Sequence, residues 1–82
     1  MKVKHFMDKM YDTQNITEMK IFIKHKYELV SRCALTIESN DVEDFTFEQL
    51  DEIAFFNDYT IIDFYIGNGG YLEIEVKSKD NY

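Results

Sequence analysis

The sequence predicts an α+β domain whose elements run α-β-β-α-β-β. Apolar residues repeat with a helical period over 3–11 and 47–56, and with a period of two over 16–37 and 62–76. The run Gly67-Asn68-Gly69-Gly70 parts the last two alternating stretches, as a hairpin turn would. The 82 residues make one domain, 1–82, with 78–82 expected to fray. Hydrophobic content of 45% and aromatic content of 16% suffice for a core, so global disorder is excluded despite the charge. The expected assembly is one four-stranded, mostly antiparallel sheet with both helices on a single face.

Val3, Phe6, Met7, Met10 and Tyr11 form the stripe of a first amphipathic helix, which the polar run Asp12-Thr13-Gln14-Asn15 ends. From Ile16 the period becomes two. Thr17, Met19, Ile21 and Ile23 take one face, and Glu18, Lys20, Phe22 and Lys24 the other. The next strand sets Leu29, Ser31, Cys33, Leu35 and Ile37 on one side. A three-residue loop at 24–26 keeps both apolar sets together, pairing Ile23 with Tyr27, Ile21 with Leu29, and Glu18 with Arg32. On that register Cys33 is a buried apolar residue rather than a nucleophile.

After an acidic loop, Thr46-Phe47-Glu48-Gln49 has capping-box spacing, with Phe45 and Leu50 placed as a hydrophobic staple. Phe47, Leu50, Ile53 and Ala54 read as the inner stripe of the second helix, which ends at Asn57-Asp58. The final hairpin requires Ile66/Leu72, Phe64/Ile74 and Ile62/Val76 as inner pairs. That leaves Asn68-Gly69-Gly70 as a three-residue loop with Gly70 left-handed. On the outer side the same register pairs Tyr65 with Glu73, Asp63 with Glu75 and Ile61 with Lys77.

Charge is strongly segregated. Residues 38–75 hold eleven carboxylates and neither Lys nor Arg. Residues 1–36 carry seven basic groups against four acidic ones, so the remainder bears more than the whole formal charge of −7. Such a balance disfavours direct nucleic-acid binding, because the carboxylates repel phosphate. One cysteine closes no internal disulfide, no apolar run approaches a membrane span, and the first residues lack a signal-peptide core. The expectation is a soluble cytoplasmic protein.

Residues 41–52 have the length of a calcium loop, but Phe45 and Thr46 stand where an oxygen ligand and a glycine are required. His5, His25 and Cys33 lack zinc spacing. No nucleophile–base arrangement can be argued, so no metal, no cofactor and no enzyme activity are expected. Two regions are candidates for partner binding. One comprises Asp41, Glu43, Asp44, Glu48, Asp51 and Glu52; the other comprises Asp63, Tyr65, Glu73 and Glu75 on the open sheet face. Carboxylates spaced over a compact body can imitate a nucleic-acid backbone and occupy the basic channel of a protein that handles nucleic acid.

The opening Met1-Lys2-Val3-Lys4-His5-Phe6-Met7, followed by a short helix and hairpins, resembles small acidic proteins of phages and mobile elements. In size and acidity the chain is similar to anti-defence inhibitors of that source, including anti-CRISPR proteins and other DNA mimics. The resemblance implies inhibition of a host CRISPR effector or other defence nuclease. A reading of a different class is a structural or regulatory module that homo-oligomerises through a sheet edge or its Tyr-bearing face.

Overall fold

The structure is a computed structural model and describes residues 1–11, 16–38 and 45–79, excluding the side chains of Met10 and Tyr11. The polar break at 12–15, the acidic loop at 39–44 and the end of the tail lie outside the described residues. The elements are α1 (Val3–Tyr11), β1 (Glu18–Lys24), β2 (Arg32–Glu38), α2 (Phe47–Ala54), β3 (Ile61–Ile66) and β4 (Tyr71–Lys77). Their order is the expected α-β-β-α-β-β. The sheet runs β2-β1-β4-β3, with two antiparallel hairpins joined by a central parallel pair, β1 and β4.

The central strands are those with the most regular apolar alternation. Met19 and Ile21 of β1 and Leu72, Ile74 and Val76 of β4 are all but fully buried. Onto this floor α1 sets Val3, Phe6 and Met7, while α2 sets Ile53, flanked by Phe45 before its cap and Phe56 after its end. Both helices therefore cover one face, and the other face is open. The first backbone N–H groups of α1 do not go unsatisfied: Val3 N donates to the Tyr59 carbonyl at 3.0 Å and Lys4 N to that of Asn57 at 3.2 Å. The turn after α2 thus anchors the start of α1.

The expected register of the first hairpin is corrected. Met19 lies opposite Ile37 and Ile21 opposite Leu35, so the connection is a seven-residue loop, 25–31, instead of a tight turn. Energetics favour the longer loop. The tight register would have set Ser31 against Met19 and left Leu35 and Ile37 without a partner strand. Burying each aliphatic is worth about 1.5–3 kcal/mol, whereas lengthening the loop costs under about 1 kcal/mol. Leu29, expected inside, is 97% exposed, and Glu18 faces Glu38 instead of Arg32. Arg32 instead pairs with Glu28 of the loop at 2.6 Å, and Lys24 Nζ donates to the Glu28 carbonyl.

Each edge strand carries a bulge. In β2 the extra residue is Ala34, since Ile21 faces Leu35 while Phe22 faces Cys33. This swings Cys33 onto the open face, where it is exposed and not the buried residue expected. In β3 the extra residue is Ile62. The pairs Ile66/Leu72, Phe64/Ile74, Tyr65/Glu73 and Asp63/Glu75 are as expected, but Ile61 rather than Ile62 reaches Val76. The turn has the expected three residues, with both Gly69 (φ 76°) and Gly70 (φ 84°) left-handed.

Candidate protein-binding surfaces

The capping box fixes how α2 presents its side chains. Thr46 Oγ1 accepts from Gln49 N at 3.1 Å, and Gln49 Oε1 accepts from Thr46 N at 2.9 Å. Gln49 also donates to the Glu38 carbonyl at 3.2 Å, tying the helix start to the end of β2. Ile53 then points into the core. At 100° per residue Phe47 lies roughly 120° around the helix from Ile53, which explains why it leaves the core stripe expected for it. Phe47 is 88% exposed, and Ala54 is also exposed.

A second feature of this face is not apparent from the apolar pattern. Phe47, Asp51 and Phe55 succeed one another at intervals of four and share a solvent-facing row. Glu48 and Glu52 form the row beside it. Phe55 is 72% exposed. Glu48, Asp51 and Glu52 are all exposed, and their carboxylates make no hydrogen bond or ion pair among the described residues. This helix surface combines unneutralised carboxylates with two largely exposed aromatic rings. Asp41, Glu43 and Asp44, expected to share the region, lie outside the described residues.

The sheet-face candidates come together but are differently engaged. Asp63 and Tyr65 on β3 stand beside Glu75 and Glu73 on β4, around a shallow hollow of about 100 Å³. Glu73 accepts the Tyr71 hydroxyl at 2.5 Å. That bond first, then burial and the neighbouring charges of Glu73 and Glu18, pushes the Tyr71 phenol up to about 12. Glu75 accepts the Ser31 hydroxyl from the β1–β2 loop, and Asp63 accepts Phe64 N at 2.8 Å. The parallel pairing also sets Lys20 beside Glu73 and Lys24 beside Lys77. Much of this acidity is thus spent on local structure or interleaved with lysine. Tyr59 packs against the core under Lys79, whose Nζ is 4.8 Å from its ring centroid. Val30 is exposed in the loop.

The carboxylates of α2 and those of the open sheet face occupy opposite sides of the sheet, because α2 covers the face that Asp63, Glu73 and Glu75 do not share. They cannot act as one continuous surface. A third feature is a groove of about 380 Å³ between α1 and β3, lined by Met1, Phe6, Lys9, Ile61, Ile62 and Phe64 with Asp63 at its rim. Among the described residues no group of three or more His, Cys, Asp or Glu is placed to hold a metal, and no helix is long and apolar enough to cross a membrane. No protein-family model matches the chain, and no curated protein or solved structure is significantly similar to it.

Proposed function

We propose that this chain is a non-enzymatic, cytoplasmic binding protein that docks the outer face of α2 onto a basic partner that handles nucleic acid. The observation that carries this reading is the Phe47-Asp51-Phe55 row flanked by Glu48 and Glu52. Exposed Phe side chains at this density are costly to leave in water and are typical of contact anchors. The unneutralised carboxylates around them steer the chain toward positive potential and occupy phosphate-binding positions on the partner. The two rings then supply short-range affinity that phosphate imitation alone lacks. Inhibition of a CRISPR effector or other defence nuclease is the specific case, through occupation of its nucleic-acid channel.

The test is affinity capture at about 50 mM and about 500 mM salt, where screening separates exposed charge contacts from apolar ones. The expected result is a nucleic-acid-handling protein retained at low salt and displaced by added DNA. The double variant Asp51→Lys/Glu52→Lys should lose it, and Phe47→Ser should weaken it at both salts. Retention of the same partner by all variants, undiminished by DNA, would sink the proposal.

A further inference from the structure

We propose that a second copy of this chain adds to the free edge of β3, in antiparallel register with Phe64 opposite Phe64 of the second copy. The edge itself is the first argument. Gly67 N donates to the Tyr71 carbonyl, so N–H groups alternate from there. Those of Tyr65 and Asp63 point to β4, and those of Ile66 and Phe64 point outward. The Met1–Lys2 segment covers the edge only as far as Ile61, whose N–H donates to the Met1 carbonyl at 2.8 Å. Beyond it no strand of the described residues pairs with the edge from Ile62 to Ile66.

The side chains there are unusually apolar for an edge. Of the helices, α1 meets it through Phe6, whose ring centroid lies 4.9 Å from that of Phe64, yet Phe64 stays 50% and Ile62 49% exposed, with Ile66 exposed as well. The opposite edge, β2, is blunted by Arg32, Thr36 and Glu38, while Leu35 and Ile37 are tucked under the helices.

Self-complementarity selects the occupant. The run Ile62-Asp63-Phe64-Tyr65-Ile66 is symmetric about Phe64 in its apolar pattern. Pairing two copies about that residue sets Ile62 against Ile66 twice and Phe64 against Phe64. On the open face each Asp63 meets a Tyr65. A shift by one residue on each chain toward the N-terminus sets Asp63 against Asp63, which like charge disfavours. The opposite shift sets Tyr65 against Tyr65 and strands Asp63 beside Gly67. In the centred register Phe64 N exchanges its bond from the Asp63 carboxylate to the Phe64 carbonyl of the second copy. The result is a continuous eight-stranded sheet with the two apolar grooves side by side.

Sedimentation equilibrium of the full chain from micromolar to millimolar concentration tests this. The expected result is a monomer–dimer equilibrium that persists at high salt. Ile62→Lys, at a half-exposed residue outside the core, should weaken the dimer by about tenfold or more. Tyr65→Lys sets each new ammonium against an Asp63 carboxylate, so the dimer should survive at low salt and become salt-sensitive. A wild-type monomer at every concentration overturns the proposal and leaves the edge to a strand of another protein. A dimer indifferent to Ile62→Lys, or one abolished at low salt by Tyr65→Lys, overturns it as well. Far-UV circular dichroism confirms that each variant is folded.

Discussion

Phe47 and Phe55 stand eight residues apart on the solvent side of α2 with Asp51 between them, and neither ring belongs to the core cluster. Their cost on removal should therefore differ sharply from that of Ile53 on the opposite side of the same helix. Phe47→Ser is expected to leave the unfolding free energy, measured by urea titration, within about 0.5 kcal/mol of wild type. Phe55→Ser should lose somewhat more, on the order of 0.5–1.5 kcal/mol, because its ring meets Phe56 edge-on at 5.1 Å. Ile53→Ala opens a cavity in the core and should cost about 2–5 kcal/mol. A loss at Phe47 equal to that at Ile53 would place the ring inside and remove the contact surface.

The capping box gives a second, independent test of how α2 is held. Thr46→Ala removes the acceptor for Gln49 N and should cost about 1 kcal/mol, while Thr46→Ser should cost little. Gln49→Ala loses two bonds, one to Thr46 N and one to the Glu38 carbonyl. It should be at least as damaging as Thr46→Ala and should speed amide exchange in the first turn. If Gln49→Ala is neutral, the link between α2 and β2 is carried elsewhere.

Cys33 reports on the first hairpin. With Ala34 bulged out, its thiol faces solvent on the open side of the sheet, within 3.4 Å of Thr36 Oγ1. A native thiol titration with a bulky aromatic disulfide should label it completely, without denaturant and at a rate near that of the unfolded chain. Labelling that awaits unfolding would restore the tight three-residue turn, in which Cys33 is buried.

What was legible in the sequence follows the range of the interactions concerned. Thr46 and Gln49 are three residues apart, and the hairpin pairs Phe64/Ile74 and Ile66/Leu72 are bridged by a short glycine turn. Both depend on local geometry that spacing encodes. The parallel pairing of Ile21 with Ile74 joins residues more than fifty positions apart, and no local pattern selects it. That pairing brings Lys20 beside Glu73 and so alters the charge of the open face. The bulges at Ala34 and Ile62 each insert one residue and reverse the facing of what lies beyond, which an alternation count carries straight through. Phe47 was misplaced for a different reason. Its apolarity suggests the core, but Phe45, Ile53 and Phe56 fill the buried positions in and beside α2, and Phe47 lies roughly 120° around the helix from Ile53.

Tyr71 gives the clearest dependence on pH. Its hydroxyl donates to Glu73, and this bond is the main cause of a phenol pushed up to about 12. An unfolded tyrosine ionises near ~10. Between these values the unfolded chain has released the proton while the folded chain still holds it, so the unfolded state binds fewer protons. Stability that is fully present below about 10 must therefore fall as pH rises toward about 12. Other phenols and lysines titrate in the same window, so the useful quantity is the difference between wild type and Tyr71→Phe. Urea midpoints followed across this interval should fall more steeply for wild type than for Tyr71→Phe, and Glu73→Gln should bring the two slopes together. Parallel slopes for wild type and Tyr71→Phe would mean that the phenol ionises alike in both states. In that case the Tyr71–Glu73 bond would not hold the proton, and Glu73 would be free to meet a partner.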